Sequence, residues 1–522
     1  MSVAAFLVFW GAWLLVPVLV DGVAALANLV GVWLATAKER RAAPREADQG
    51  WLPRVSIIVP VHNSEATLGP CLRSLLRQDY PPECLEIIAV SNGTTDHSFE
   101  VFSAVQSRPW PGHLVWMQTG RSGKAWALNA GIHVATGQIL MNVDSDVVLH
   151  RSAVRRMVER FRQEPLGAAT GAVIVRPPSR ETSGWRRLLA ACEYLEYLSA
   201  FVVGRRFQTL SDSLYTLAGA FSAFRREALL ETFLYSKRTV SEDTDLTFAL
   251  RERLGARWKV ACVPEAIAYV EPTPSLTALH AQRVRWQRGE LEVSSLYPQL
   301  SQRAPWKARG FAGARVLLVD HTLAFPRLAW TFLFPALGWF GGYPWQLITW
   351  AFVMLYVFYA LVEMAWTVVC YALGDRATRQ RVRQYAWAAL VMPLYRFAIF
   401  WFRMDGFLRA LAEPPTWRVR APWLQARESA GDMARRVRRA ALGAWTALCQ
   451  EGAVLATRLR LAERPAWAAQ ALGRLRFRAR VSLARARRTW RQRMRSLAED
   501  MGWLLNLTEA SRTGKMPHTH DR

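Results

Sequence analysis

The sequence predicts an α/β domain with a mostly parallel central sheet, joined to α-helical transmembrane segments. Residues 54–150 alternate short apolar runs with helix-like stretches, which is the pattern of an α/β unit. Long apolar runs with few charges lie on both sides of the soluble part and are typical of membrane-spanning helices. The composition agrees, because 52% of the 522 residues are hydrophobic while 21% are charged.

The first apolar run covers residues 3–35 and contains one acid, Asp21, and no base. A run of this length crosses a bilayer with some tilt. It is longer than the apolar part of a secretory signal, and no basic stretch precedes it. Residues 1–37 are therefore interpreted as a retained N-terminal transmembrane anchor.

Three further apolar runs follow the soluble part, at residues 316–341, 345–373 and 386–402. The first two flank the short turn Gly341-Gly342-Tyr343-Pro344, which predicts a transmembrane hairpin. The third run is near the minimum length for a span and contains Pro393 and Arg396, so it either crosses the membrane or lies in its interface. Residues 314–404 are assigned to C-terminal transmembrane or interfacial helices.

Basic residues predict the orientation of these segments. They follow the first span and the hairpin: Lys38, Arg40, Arg41, Arg45, Arg376, Arg379, Arg381 and Arg383. Because basic residues collect on the cytoplasmic side, residues 50–300 are expected to form a cytoplasmic domain of a multi-pass inner (plasma) membrane protein. The six cysteines form no close pairs, which indicates reduced thiols and argues against a metal knuckle.

Within the soluble part, four strands are predicted, at residues 55–61, 85–90, 114–118 and 139–143. Between the first two, a helix is predicted with four leucines on one face: Leu68, Leu72, Leu75 and Leu76. Polar residues follow three of the strands: His62-Asn63, Ser91-Asn92-Gly93 and Asp144-Ser145-Asp146. Ligands of such sheets bind beyond the carboxyl ends of the strands, so a binding site is expected there.

The segment "GQILMNVDSDVVLH" ends an apolar strand with two carboxylates one residue apart. By the period of two, Asp144 and Asp146 face one ligand while Ser145 turns aside. Two oxygen donors of this kind suit Mg²⁺ or Mn²⁺, which takes its other ligands from water and phosphate. A solvated turn that happens to contain acids is the alternative interpretation.

Seven motifs occur in a fixed order: "VSIIVPVHN", "EIIAVSNGTTD", "GKAWALNAG", "VDSD", "AGAFSAFRRE", "SEDTD" and "QRVRW". Together they resemble glycosyltransferase family 2, specifically its membrane-embedded processive β-glycan synthases, which make cellulose, hyaluronan and poly-N-acetylglucosamine. The resemblance covers residues 50–300 and implies a GT-A-like catalytic domain. The implied reaction is inverting transfer of sugar units from a nucleotide sugar to a growing β-linked polysaccharide.

The resemblance implies a donor site formed by Asn63, Asn92, Asp96, Lys124 and Asp144. In it, Lys124 lies near the diphosphate as a point charge, and Asp146 holds the metal together with Asp144. Asn92 stands where many relatives have aspartate. Its carbonyl oxygen still accepts a hydrogen bond from uracil, so UDP remains the expected nucleotide. The alternative interpretation of Lys124 is a solvated residue at the start of a helix.

The catalytic pair implied by the resemblance is Glu242-Asp243, with Asp243 as the base that takes the proton from the acceptor hydroxyl. An ordinary helix start after Ser241 is the alternative, and both interpretations can hold together.

The acceptor side is assigned by resemblance to Gly219, Ala220, Gln282, Arg283, Arg285 and Trp286. On a helix, Gln282, Arg285 and Trp286 share one face. Trp286 would stack on a sugar ring, with Arg283 and Arg285 near phosphate. An amphipathic interface helix would also contain arginine and tryptophan, and small residues such as Gly219 also serve close packing.

Two other functions remain open. One is a single transfer to a polyprenyl phosphate or another lipid, and the other is an inactive scaffold protein, suggested by the changed aspartate at Asn92. The expected partners are a nucleotide-sugar donor, a glycan or lipid-linked acceptor and the lipid bilayer. The sequence does not identify the sugar, the linkage or any accessory export protein.

The net charge of +26 does not indicate a nucleic-acid partner, because half of it lies in residues 423–522, with 21 bases and eight acids. This tail is interpreted as a basic amphipathic segment, with apolar residues at helical spacing: Trp490, Met494, Leu497, Met501 and Leu504. An arginine- and alanine-rich composition without function is the alternative. Charge favours a cytoplasmic tail, whereas a full third span would place it outside.

Overall fold

The computed structural model describes residues 52–176, 184–254, 257–301, 336–342 and 344–412, with residues 22, 23, 26 and 29–34. Most of the predicted anchor 1–37, most of the first hairpin arm and the whole tail 423–522 lie outside these residues. The predictions for them, and the predicted domain boundaries, therefore stay predictions.

The first half of the sheet follows the predicted order. Its elements are β1 (Val55–Val61), α1 (Glu65–Leu76), β2 (Leu85–Ser91), α2 (Ser98–Gln106), β3 (His113–Gln118), α3 (Lys124–Val134) and β4 (Ile139–Val143). Strand β1 pairs in parallel with both β2 and β4, and β2 pairs in parallel with β3. The four predicted strands are confirmed to within one residue, because each is a short, largely apolar run bounded by polar residues.

The two faces of β1 contact different helices. Ile57 and Val59 pack in one core with Leu68 of α1, whereas Ile58 packs in a second core with Leu128 of α3. Helix α1 buries Leu68, Leu72 and Leu75 as its spacing predicts, and leaves Leu76 partly buried. The sheet is thus covered on both faces, which explains why β1 is buried along its whole length and largely apolar.

The second half of the domain is more irregular. Its elements are β5 (Val148–Leu149), α4 (Ala153–Gln163), β6 (Leu166–Val175), α5 (Gly184–Tyr197), α6 (Arg205–Leu210), β7 (Phe221–Arg225), α7 (Arg226–Leu230), α8 (Glu242–Leu254) and β8 (Lys259–Val270). A π-helical turn over Leu198–Gly204 connects α5 to α6.

The eight described strands form one mixed sheet in the order β3-β2-β1-β4-β7-β6-β8-β5. Strand β7 enters antiparallel between β4 and β6, and β5 is antiparallel to β8. The prediction of a mostly parallel sheet therefore holds for β3-β2-β1-β4 and for the parallel pair β6-β8, whereas β7 and β5 pair antiparallel with their neighbours and make the sheet mixed. Because β7 runs against β4, the start of β7 lies beside the end of β4, and Asp144 donates its N–H to the carbonyl of Ala220 at 3.2 Å.

Helices follow the sheet: α9 (Leu276–Leu296), α10 (Pro298–Ser301), α11 (Trp345–Leu373), α12 (Arg376–Tyr385) and α13 (Met392–Ala412). Among the described residues, α11 is long and apolar enough to cross a membrane. The segments 376–390 and 392–412 are bent by 75° at their junction and together form a second candidate. The apolar run 386–402 is therefore divided between a 3₁₀ turn and the start of α13.

Helix α13 packs closely along α9. A Cβ on Gly406 would lie 2.9 Å from the carbonyl oxygen of Val284 and 3.0 Å from Cβ of Gln287, so the two helices approach through the missing side chain. Arg403 of α13 donates to the Gln287 amide oxygen at 2.7 Å, and His280 Nε2 lies 2.9 Å from the Asp405 carboxylate. These contacts fix the α9 face that bears the predicted acceptor residues.

Candidate active site

A cavity of about 960 Å³ lies at the carboxyl end of β4. The loop before β7 and helices α3, α8 and α9 contribute to its walls, together with aromatic side chains of α11 and α13 such as Tyr359 and Phe397. Eight acidic and six basic side chains of the described residues line it. A cavity lined by both charged and aromatic side chains suits a ligand that combines polar groups with flat apolar faces.

Lys124 is the first residue of α3 and follows Gly123, which has a φ of +126°. Its Nζ lies 2.6 Å and 2.8 Å from the two carboxylate oxygens of Asp144 and 3.8 Å from Glu242. Burial alone would lower the pKa of the Lys124 amine, but the carboxylates of Asp144 and Glu242 raise it above its ordinary value. The amine is therefore an ammonium at neutral pH and is available to an anionic leaving group.

Asp144 and Asp146 both line the cavity, and Asp146 is the more exposed of the two. Ser145 between them turns aside, with its hydroxyl 2.7 Å from the Ser64 hydroxyl. The side chain of Asp144 is held by Lys124, so its carboxylate is fixed where a donor phosphate would meet the lysine.

The donor set at Asp144 and Asp146 fits a hard divalent cation. Among the described residues, no three His, Cys, Asp or Glu side chains group closely enough to hold a metal by themselves. Mg²⁺ is commonly held in this way, by one or two carboxylates with its remaining ligands from water and substrate phosphates. The two aspartates are therefore suited to a metal that arrives with a diphosphate.

Asp243 lies in the first turn of α8 and faces the loop before β7. Its Oδ2 accepts a hydrogen bond from the Gly219 N–H at 3.0 Å, and its Oδ1 accepts one from the Thr244 N–H at 2.8 Å. Its neighbour Glu242 is buried, and burial raises the pKa of the Glu242 carboxyl above its ordinary value. The predicted helix start is confirmed, and it displays Asp243 toward the cavity.

The peptide units of Gly219 connect Asp243 to the end of β4. The Gly219 N–H is bound to Asp243, and its carbonyl accepts from the Asn142 side-chain amide at 2.7 Å. A Cβ at this position would lie 3.1 Å from the Asp243 carboxylate and 3.3 Å from Lys124 Nζ. Glycine here therefore leaves space beside the Asp243 carboxylate and Lys124 Nζ, and Ala220 continues the cavity wall.

Helix α9 presents Gln282, Arg285 and Trp286 to the cavity, and the Trp286 side chain is 42% exposed. Arg283 is buried behind them, with its guanidinium 2.6 Å from the Glu196 carboxylate and 4.3 Å from the Trp286 ring. Arg283 also lines the cavity while it pairs with this carboxylate of α5, and its role in acceptor binding stays a prediction.

Three predicted donor residues lie outside the residues that line this cavity: Asn63, Asn92 and Asp96. The Asn63 side chain accepts from the Thr95 N–H at 2.9 Å. The Asp96 carboxylate accepts from the Glu65 N–H at 2.9 Å, at the first residue of α1. These contacts tie the loops after β1 and β2 to each other, and nucleotide binding by the three residues stays a prediction.

Sequence reasoning missed Glu196 and Tyr395. The Glu196 carboxylate accepts from Arg283 and, at 2.7 Å, from the Tyr395 hydroxyl of α13. These partners are 87 and 199 residues away along the chain, so no local pattern marks Glu196. The glutamate joins the α9 face to the C-terminal helices.

The family model "Glycosyltransferase like family 2" matches residues 53–289. Poly-beta-1,6-N-acetyl-D-glucosamine synthase of Staphylococcus aureus (strain COL) is 28% identical over 243 residues, which cover 46% of this chain and 56% of the relative. The synthase of the same name from Staphylococcus epidermidis is 28% identical over 240 residues, with 46% and 55% covered. The similarity thus spans about half the length of the curated relatives.

Two solved structures are similar at lower identity. The mannosyltransferase PcManGT from Pyrobaculum calidifontis, in complex with GDP-Man and Mn²⁺, is 18% identical, with a TM-score of 0.47 and coverage of 75% of this chain and 97% of that one. S. aureus TarS 1-349 in complex with UDP-GlcNAc is 14% identical, with a TM-score of 0.34 and coverage of 66% and 91%.

Proposed function

We propose that the protein, whose residues 53–289 match the glycosyltransferase family 2 model, transfers sugars from a UDP-sugar to the end of a β-linked polysaccharide at a membrane. N-acetylglucosamine is the leading candidate for the sugar, because the curated relatives bear the name of a poly-N-acetylglucosamine synthase. The observation that carries the proposal is the convergence of Lys124, Asp144 and Asp243 on one cavity that Trp286 also lines.

In the proposed reaction, the acceptor hydroxyl oxygen attacks the anomeric carbon of the donor sugar. The bond between that carbon and the β-phosphate oxygen breaks, and its electron pair leaves with the diphosphate. The hydroxyl proton passes to the carboxylate of Asp243, which the Gly219 and Thr244 N–H groups hold in place. Direct attack on an α-linked donor inverts the anomeric centre and produces a β-linkage.

Charge on the leaving group is stabilised from the donor side. The Lys124 ammonium, fixed by Asp144, is a preorganised cation at the place where negative charge develops. A Mg²⁺ or Mn²⁺ ion held by Asp146 and Asp144 would supply Lewis-acid stabilisation of the same diphosphate. Glu242, beside Lys124, contributes to the field that keeps the lysine charged.

The acceptor is proposed to lie against α9. The exposed ring of Trp286 offers an aromatic face on which a sugar can stack, and Gly219 and Ala220 leave room beside the base. Arg285 and Gln282 provide hydrogen-bond donors to sugar hydroxyls. Aromatic residues of α11 and α13 continue the cavity, which favours a chain that extends toward these helices.

A location at the inner membrane, with the catalytic domain in the cytoplasm, is part of the proposal. The apolar helix α11 and the bent pair that ends in α13 support it, together with the distribution of basic residues. Accessory export proteins stay unidentified.

The test uses full-length protein purified in detergent and incubated with radiolabelled UDP-N-acetylglucosamine, UDP-glucose or GDP-mannose. We expect label to enter a polymer that a defined β-glycanase digests, from one of the UDP-sugars. Asp243→Asn provides the inactive control, and Glu252→Gln, an exposed acid of the same helix, provides the matched active one.

The size of the product separates the alternatives. A product that carries one sugar on a lipid would show that the acceptor is a polyprenyl phosphate or a similar lipid, and not a polysaccharide. No incorporation from any donor, in protein that still binds UDP, would support a scaffold and contradict the proposal.

A further inference from the structure

Arg205 is a buried cation in the wall of the cavity that the proposed mechanism does not use. It is the first residue of α6, directly after the π-helical turn, and its side chain is 9% exposed. It lines the cavity together with Phe201, Gln208 and Tyr215. Arginine is rarely buried without an acidic partner, because removing its charge from water is costly.

The described residues give Arg205 little compensation for its charge. Its Nη1 donates to the Thr170 hydroxyl at 3.3 Å, and its guanidinium lies 4.3 Å from the centre of the Phe201 ring. Among the residues that the structure describes, no carboxylate forms an ion pair with Arg205, and no acceptor lies at its Nε or Nη2. Burial lowers the pKa of Arg205, yet an arginine remains charged at neutral pH.

Nε and Nη2 form the edge of a guanidinium that fits a carboxylate with two parallel hydrogen bonds. The protein itself shows this geometry at Arg238, whose Nε and Nη2 donate to the two Asp245 oxygens at 2.9 Å and 2.7 Å. At Arg205, no acceptor within the described ranges occupies the same two atoms, whereas Nη1 holds the side chain against Thr170.

The position of Arg205 is on the base side of the cavity. The Thr170 hydroxyl that accepts from Arg205 also accepts from the Ala218 N–H at 3.0 Å. The next residue, Gly219, donates to Asp243. A group bound by Arg205 therefore belongs to the acceptor more readily than to the donor diphosphate.

We infer that Arg205 binds a carboxylate on the acceptor glycan, so that the preferred acceptor is a polysaccharide with acidic sugars. This inference rests on the proposed function for its acceptor. It adds the chemical class of that acceptor, which is a β-linked chain that contains acidic sugars rather than a homopolymer of N-acetylglucosamine. The Nε and Nη2 atoms of this one guanidinium match the two oxygens of a uronate carboxylate, and its single positive charge matches the single negative charge of the uronate. Gln208 and Tyr215 lie beside it in the cavity wall as hydrogen-bonding neighbours for the same sugar.

The test measures binding of two β-linked tetrasaccharides that differ only at the terminal residue, which is glucuronic acid in one and glucose in the other. Full-length protein in detergent is titrated with each, without donor. We expect the acidic tetrasaccharide to bind roughly tenfold more tightly or better, the range of a charge-assisted bidentate pair. Arg205→Gln should remove this preference and leave binding of the neutral tetrasaccharide unchanged.

Two further variants sharpen the result. Arg205→Lys keeps the charge and loses the two-bond edge, so it should retain a reduced preference. Arg206→Gln changes the adjacent arginine, which does not line the cavity among the described residues, and should keep the full preference. Arg205→Lys also covers the case in which Arg205→Gln fails to fold.

Several outcomes would overturn the inference. They are equal binding of the two tetrasaccharides by the unmodified protein, equal weakening of both by Arg205→Lys, and a raised KM for the UDP-sugar with the glycan preference intact. Displacement of the acidic tetrasaccharide by millimolar inorganic phosphate, as strongly as by free glucuronate, would assign Arg205 to anions in general and also overturn it. Failure of the proposed function would appear separately, as absent transfer from every donor despite a measured binding preference.

Discussion

At the scale of single residues, the peptide of Gly219 determines how close the base and the lysine come. Its N–H is bound to Asp243 and its carbonyl to Asn142, so it has little freedom to move. The added methyl group of Gly219→Ala would push on both Asp243 and Lys124, at 3.1 Å and 3.3 Å. We expect kcat to fall about tenfold to a hundredfold because the base is misplaced.

The measurement for Gly219→Ala is steady-state transfer, with thermal unfolding as the check on folding. Gly120→Ala is the matched control, because a Cβ there meets nothing within 4 Å. Unchanged kcat in Gly219→Ala would show that the glycine is not needed for the geometry of the base.

Asp243→Asn tests the base itself. The amide oxygen of asparagine can still accept from the Gly219 N–H, so the loop should keep its position. We expect donor affinity within a few-fold of the original and turnover lower by about a hundredfold to ten-thousandfold, since a general base acts in the transition state. Loss of donor affinity in parallel with turnover would instead assign Asp243 to donor binding.

Asp146→Asn tests the metal. It leaves the Lys124–Asp144 pair intact, so the protein should insert and fold while transfer is abolished. Activity of the unmodified protein should disappear with a chelator and return with Mg²⁺ or Mn²⁺. Chelator-insensitive transfer would contradict the metal assignment.

At the scale of elements, the contact between α9 and α13 holds in place the face of α9 that is proposed to bind the acceptor. Gly406→Leu would force a side chain against the Val284 carbonyl, at a position where even a Cβ approaches to 2.9 Å. We expect the free energy of unfolding to fall by about 1–3 kcal/mol, and KM for the acceptor to rise more than KM for the donor.

Thermal unfolding in detergent and the two KM values provide the measurements for Gly406→Leu. Ala412→Leu places the same side chain at an exposed position of the same helix and serves as the control. Equal changes of both KM values would indicate a general loss of structure and would contradict a specific link between α13 and the acceptor side.

The elements also show how far sequence reasoning reaches. Strands β1 and β4 were predictable because each is a short apolar run that ends in polar residues. The antiparallel entry of β7 was not, because its pairing with β4 joins Asn142 to Ser222, and neither run shows this register locally.

The candidate site also contains residues that could be predicted from the sequence and residues that could not. Lys124, Asp144 and Asp243 were predicted from motifs, and the structure brings them together. Glu196 and Arg205 were not predicted, because their environments arise from packing between distant elements.

At the scale of the whole molecule, the side of the tail remains a prediction from sequence. If the basic tail binds the cytoplasmic leaflet, single cysteines near Ser482 and Thr508 should resist an impermeant reagent added to intact cells. The background would lack the native cysteines, of which the five described are free thiols. Strong labelling from outside would place the tail beyond the membrane and make the third apolar run a full span.

The charges of the cavity are expected to couple the binding of the donor to the binding of the metal. Its described lining carries eight acids and six bases, a formal charge of −2 inside a chain of +26. A nucleoside diphosphate sugar would add more negative charge to this negatively charged cavity. Electrostatic repulsion therefore opposes its entry without a counterion. A divalent cation and the donor should therefore increase each other's affinity by one shared factor, as thermodynamic reciprocity requires. Donor binding measured across a magnesium titration, and magnesium binding measured across a donor titration, should then give the same coupling free energy.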